Sequence, residues 1–198
     1  TGGTRGRVAL VHALAHIELN AIDLAWDIIA RYTDADLPFA FYDDWVQVAD
    51  DEARHFMMLD DRLHELDSRY GAHPAHDGLW QAAIDTAGDL KGRLAVVPLV
   101  LEARGLDVTP ATVARLRSVG DDITADALQI IHDDEITHVA AGKRWFDFLC
   151  DREGLSPVET WQGLVKRYFK GDLKPPFNEE SRDRAGFSAE FYGPISRS

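Results

Sequence analysis

Past a Gly-rich opening at residues 1–4, apolar positions recur every three to four residues over 5–31, with no proline and no glycine beyond Gly6. That is the period of an amphipathic helix. Its stripe of Val11, Leu14, Ala15, Ala21, Ile22 and Ala25 is broken at the centre by Glu18. After a turn at 32–37, Pro38 suits the first position of a second helix running to about residue 69. There the stripe Trp45, Val48, Ala49, Phe56, Leu59, Leu63 and Leu66 is broken only by Glu52 and His55. Residues 71–78, holding His73, Pro74 and His76, read as a loop crossing to the second half of the chain.

A short helix over 79–87 then leads to a third long helix at 89–104, with Ala95, Pro98, Leu99 and Glu102 on one face. Pro98 lacks a backbone donor and predicts a kink one turn before Glu102, read either as tolerated packing or as a widened cavity. Gly105 to Pro110 predicts a break, Thr109 capping a new segment that starts at Pro110 and runs to 119. A fourth helix is expected over 121–153, with Leu128, Ile131, Glu135, His138, Gly142, Trp145 and Leu149 inward and Gly154 ending it. Ser156-Pro157-Val158-Glu159 reads as a capping box opening a fifth helix, 157–170. The tail at 171–198 has no long period, yet Phe177, Phe187, Phe191 and Tyr192 predict that it lies over the bundle at one mouth of the site. The expected fold is all-α: a single domain made of a four-helix bundle over 5–153 with a crossover connection, a short fifth helix and an irregular C-terminal tail.

The polar interruptions follow a rule. Glu52-x-x-His55 and Glu135-x-x-His138 each set a carboxylate and an imidazole three residues apart, on one helix face about one turn from each other. Glu18 precedes Glu52 by 34 residues and Glu102 precedes Glu135 by 33. In the first half, each arm from the turn back to its glutamate is about 20 Å of helix, so both return to the same height. Carboxylates on apolar stripes need partners. A pair of metal ions in the bundle core supplies them, with one glutamate from each of two helices and a Glu-x-x-His from each of the others. Oxygen donors with one imidazole per ion suit iron first and manganese next, with zinc as an adventitious occupant. Six protein ligands for two ions leave positions open for dioxygen or peroxide. Behind the ligands, Asp51 and Asp134 are placed to accept the second N–H of a histidine on the opposite helix, and Arg54 to pair with one of these acids. His132, one turn before Glu135, reads either as structural filler or as a further group at the site. His12 and His16 read as hydrogen-bonded packing or surface residues rather than ligands, His16 lying about 200° round the helix from Glu18.

Composition narrows the partners. A chain of 198 residues with 45% hydrophobic content can bury one core, and its net charge of −13 opposes nucleic acid or an anionic membrane. Four glutamates on two divalent ions would neutralise part of that charge. The single cysteine, Cys150, excludes an internal disulfide and reads as a buried helix residue. No apolar run is read as long enough to span a membrane and no signal peptide opens the chain, so a cytoplasmic protein is expected, with the start at Thr1 suggesting a truncated or processed chain.

Glu18, Glu52-x-x-His55, Glu102 and Glu135-x-x-His138 together resemble the six-ligand set of the ferritin-like di-iron carboxylate superfamily. From His16-Ile17-Glu18 through Leu101-Glu102-Ala103-Arg104-Gly105-Leu106-Asp107 to Pro176-Phe177-Asn178, nearly the whole chain resembles a bacterial family of uncharacterised ferritin-like proteins. Asp51-Glu52-Ala53-Arg54-His55 is also similar to the Asp-Glu-x-Arg-His pattern of di-iron monooxygenase hydroxylases, from which the second copy departs at Thr137. The resemblance implies a di-iron oxidoreductase, first a hydroxylase or oxidase acting on a small molecule with O2 or peroxide and served by an external reductase. A tRNA hydroxylase would be a variant of that reading, opposed by the acidic charge. The alternatives are a ferroxidase or peroxide-handling protein similar to bacterioferritin or rubrerythrin, and a non-enzymatic helical module with a vestigial metal site. Rubrerythrin itself needs four cysteine thiolates where this chain has one, and the long tail opposes a storage shell. A monomer or dimer is therefore expected.

Overall fold

The computed structural model describes residues 3–197, so Thr1, Gly2 and Ser198 of the Gly-rich opening and the tail lie outside the described residues. Every element among them is helical, with no strand: α1 (Thr4–Arg31), α2 (Phe39–Glu65), α3 (Gly78–Asp85), α4 (Leu90–Val96), a π-helical turn (Val97–Glu102), α5 (Ala103–Ser118), α6 (Asp122–Glu153), α7 (Pro157–Tyr168), α8 (Glu179–Arg184) and α9 (Ala189–Tyr192), closed by a 3-10 turn (Gly193–Ile195). The chain divides into two compact units, one of residues 1–80 and 111–131, the other of 81–110 and 132–198.

In the first unit, α1 and α2 pack along each other on the predicted stripes. Val8, Val11 and Ala15 meet Leu59 and Leu63, and the core is completed by Val113 and Leu116 of α5 and Ala125, Leu128 and Ile131 of α6. Asp121, 2% exposed at the start of α6, ties three segments together. It takes Arg7 of α1 at 3.0 Å and Arg62 of α2 at 2.9 Å, while Arg62 also donates to Thr124. Pro38 precedes α2 as its cap rather than its first residue, and α2 stops at Glu65, not 69. Asp67 there takes a left-handed φ of 55° and Ser68 N–H returns to the Leu63 carbonyl, closing the helix early. Aspartate tolerates that conformation better than most residues. α1 also corrects the reading that no segment is apolar enough to span a membrane: an 18-residue stretch of it meets that criterion by length and composition. Alanines raise its hydropathy, and 44% of the stretch is buried within the protein.

In the second unit the predicted break at 105–110 does not occur, and Pro110 sits inside α5. A helical proline leaves the carbonyl four residues back without its donor. Here that carbonyl belongs to Leu106, and Asn178 Nδ2 donates to it at 3.2 Å. Thr109 is accordingly not a cap. The kink expected at Pro98 takes the form of the π-helical turn, in which Ala103 N–H reaches back five residues to the Pro98 carbonyl. Ser156 stands at the N-cap of α7, but its side chain makes no capping bond.

The tail is ordered by burial. Phe187, Phe191 and Tyr192 are buried, Trp161 of α7 meets Phe187 and Phe191 edge-on and donates its Nε1–H to the Ala95 carbonyl at 3.1 Å. Arg182 of α8 makes a two-pronged ion pair with Asp107 at 2.8 Å for each prong, beneath the rings of Phe177, Phe187 and Tyr192. A bidentate guanidinium–carboxylate pair buried under aromatic faces pins α8 to α5.

Candidate metal centre

Within the first unit, α1 presents Glu18 and α2 presents Glu52 and His55, three buried polar side chains in an apolar core. The His55 Nδ1 lies 3.2 Å from Glu18 Oε2 and 3.3 Å from Glu52 Oε2. One ligand atom from each of the three lies within 4.8 Å of the other two, close enough to share an ion. Burial alone would lower the His55 pKa, but the hydrogen bonds and charges of Glu18 and Glu52 overcome it and push the imidazole up to about 10. The proton shared at Nδ1 thus occupies the point toward which three donors converge. Two oxygens and one imidazole nitrogen, withdrawn from water, are a donor set that could hold a metal ion.

Just outside this triad, Asp51 Oδ1 accepts from Arg54 and, at 3.0 Å, from Gln47 Nε2. Arg54 also approaches Asp50 at 4.0 Å. The arginine of the Asp-Glu-x-Arg-His string therefore neutralises the aspartate of the same string, one of the pairings expected from the sequence.

In the second unit, α6 carries Glu135 and His138 on one face, with Nδ1 of His138 3.7 Å from Glu135 Oε2. His138 is buried and Glu135 nearly so. Glu102 closes the π-helical turn and is half-buried. What brings that turn up to α6 is a glycine: a Cβ on Gly142, one turn after His138, would fall 2.4 Å from Cβ and 2.5 Å from Cγ of Pro98. Only a residue without a side chain admits the proline ring there. Pro98 stands one turn before Glu102, so this contact sets the Glu102 turn beside the His138 turn.

Asp134 is half-buried, and Thr137 turns its hydroxyl back onto the Asp134 carbonyl at 2.7 Å. His132 is buried and its Nε2 lies 3.2 Å from Ser181 Oγ of α8, with burial lowering its pKa. His12 and His16 are hydrogen-bonded packing residues as expected, engaged with Tyr70 and the connection that follows α2. The positioning residues to which the sequence assigned no structural role are Gly142, placed only on the inward stripe, and Asn178, named only as part of Pro176-Phe177-Asn178. Their signals were the glycine four residues past His138 and the asparagine after Pro175-Pro176-Phe177.

The model of a family described as "Protein of unknown function (DUF455)" matches residues 1–193. An uncharacterized protein of Haemophilus influenzae is 38% identical over 188 residues, 92% of this chain. The chain spans 65% of the length of that relative. No solved structure matches the chain.

Proposed function

The chain belongs to the DUF455 family, and we propose that it is a single-domain, ferritin-like dinuclear metal carboxylate protein, an oxidase or hydroxylase using O2 or peroxide. Glu18, Glu52 and His55 are one half of the ligand set and Glu102, Glu135 and His138 the other. Iron ions bound there would supply the electrons for reducing dioxygen or peroxide.

The observation that carries this reading is the triad of Glu18, Glu52 and His55. Two carboxylates and one imidazole withdrawn from water cost several kcal/mol per ion unless charge and hydrogen bonds balance them. A divalent cation in place of the shared proton balances them better than the proton does. The chain's own residues would then act in three ways. The glutamates would hold the ions, His55 would give up its Nδ1 proton on loading, and Asp51, paired with Arg54, would accept a second imidazole N–H. Apolar helix faces around the triad exclude water.

Anaerobic Fe(II) titration followed by air tests the assignment. Two ions per chain and a charge-transfer absorption are expected, with Glu18→Ala and Glu102→Ala each losing at least one ion. Unchanged two-ion stoichiometry in Glu102→Ala would remove it from the ligand set. Failure to bind any metal would leave a helical module with a vestigial site, and a very large shell on gel filtration would turn the reading toward iron storage.

A further inference from the structure

Four of the eight histidines gather where α1 meets the connection between α2 and α3: His12 and His16 on the helix, His73 and His76 in the connection. His12 is 2% exposed, stacked on the Tyr70 ring at 5.1 Å, with His73 edge-on at 5.3 Å. Its Nε2 accepts the backbone N–H of Gly71 at 3.0 Å and, more weakly, that of His73 at 3.4 Å. A ring nitrogen accepts only when it carries no proton, so both bonds require neutral His12 with its proton on Nδ1. His16 adds a second tie, Nε2 to the His76 carbonyl at 2.7 Å and Nδ1 to the Tyr70 hydroxyl at 2.8 Å. Beyond these ties lies a cleft of about 390 Å³ lined by His16, Asn20, Asp23, His76, Asp77 and Trp80.

We propose that His12 is a proton-operated latch: neutral, it clasps residues 70–77 to α1 and keeps one wall of the cleft in place; protonated, it turns a donor toward two amide hydrogens and releases that wall.

The groups that face His12 favour this behaviour. His73 approaches edge-on from the connection, and His16 lies one turn along α1. Tyr70 presents its ring, and Asp60 of α2 accepts the Tyr70 backbone N–H at 3.3 Å while lying 3.9 Å from His64. Burial first, then His73 and His16, hold the His12 pKa below its ordinary value. A lowered histidine pKa means that the closed form is fully favoured above the free value, about 6.5, and loses ground as pH falls toward the lowered one.

Amide hydrogen exchange of the full chain, expressed as protection relative to intrinsic rates, reads the latch. Between about pH 7.5 and 4.5, protection at Gly71 and His73 should fall by up to about tenfold per pH unit below about 6.5, while the middles of α1 and α2 keep theirs. His12→Gln, which keeps an acceptor that does not titrate, should flatten that loss. His73→Gln, which removes one of the groups that hold the His12 pKa down, should move the onset of opening to higher pH. An identical pH-dependent loss in His12→Gln overturns the latch. So does a nitrogen chemical shift showing His12 protonated while both amides stay protected, a measurement that does not depend on either variant folding.

Discussion

Metal uptake at the triad should be a contest with one particular proton. His55 Nδ1 is held between Glu18 Oε2 and Glu52 Oε2 at 3.2 and 3.3 Å, and the imidazole pKa is pushed up to about 10. At pH 7 that is three units below the pKa, so evicting the proton costs a cation about 4 kcal/mol at 1.36 kcal/mol per unit. Apparent affinity should therefore climb about tenfold for each unit of pH between about 7 and 10. Calorimetric titration with Mn(II), run at one pH in buffers of differing ionisation enthalpy, should show at least one proton released per chain. Replacement of His55 by Ala should abolish that proton's share. The metal-free protein follows the same linkage with a definite sign. Since the folded pKa lies above the free value of 6.5, the stabilisation is complete below pH 6.5 and is lost as pH rises toward 10. At most about 5 kcal/mol is at stake, so the melting temperature without metal should drop across that range and drop far less with metal bound. Buffer-independent enthalpies together with an affinity that stays level from about pH 7 to 8.5 would refute the picture of a proton standing in for the ion.

Three further substitutions probe the scaffold. Gly142→Ala drives a methyl to 2.4 Å from a proline ring that cannot swing aside, and should cost about 1–3 kcal/mol in denaturant unfolding; an unchanged midpoint would show that the Pro98 contact does not hold the Glu102 turn. Asn178→Ala leaves the Leu106 carbonyl and the Ser181 N–H without their partner, a loss of about 2 kcal/mol, whereas Asn178→Asp should recover the Ser181 bond alone and about half the stability. Asp121→Ala removes the buried carboxylate that Arg7 and Arg62 share, leaving Arg62 with Thr124 and Glu65, and should lower stability by about 2 kcal/mol, measured by thermal unfolding.

Long stripes were the most readable part of the chain. α1, α2 and α6 each run for more than seven turns, and so long a period leaves no doubt about which face is buried. The same stripes pointed to Glu18, Glu52 and His55 as out of place, and the structure joins these three. The prolines were harder to interpret because a proline states only what the local backbone lacks. At Pro110 the missing donor is replaced by Asn178, 68 positions away, and at Pro98 the chain continues as a π-helical turn, so neither ends the helix. Nothing near either proline in the sequence announces such a remedy. The tail hid its order for a similar reason: α8 and α9 are too short to show a period, and what fixes them is Arg182 reaching Asp107 and a set of rings closing over it. The clasp on Asp121 joins Arg7, Arg62 and the head of α6, a convergence of ordinary surface residue types that only folding makes visible.

The two compact units are each assembled from separate lengths of chain, with the three changes of ownership falling inside α3, α5 and α6. No single scission can free either unit entire, and a fragment ending at residue 80 would carry Glu18, Glu52 and His55 without Val113, Leu116 or Leu128 to seal the core behind them. During synthesis the first triad must wait for some fifty further residues before its hydrophobic surroundings are complete, an interval of a few seconds at ribosomal speed. On the proposed metal assignment, an early-arriving cation would meet a half-enclosed pocket, so the connectivity itself would set whether capture precedes or follows chain completion.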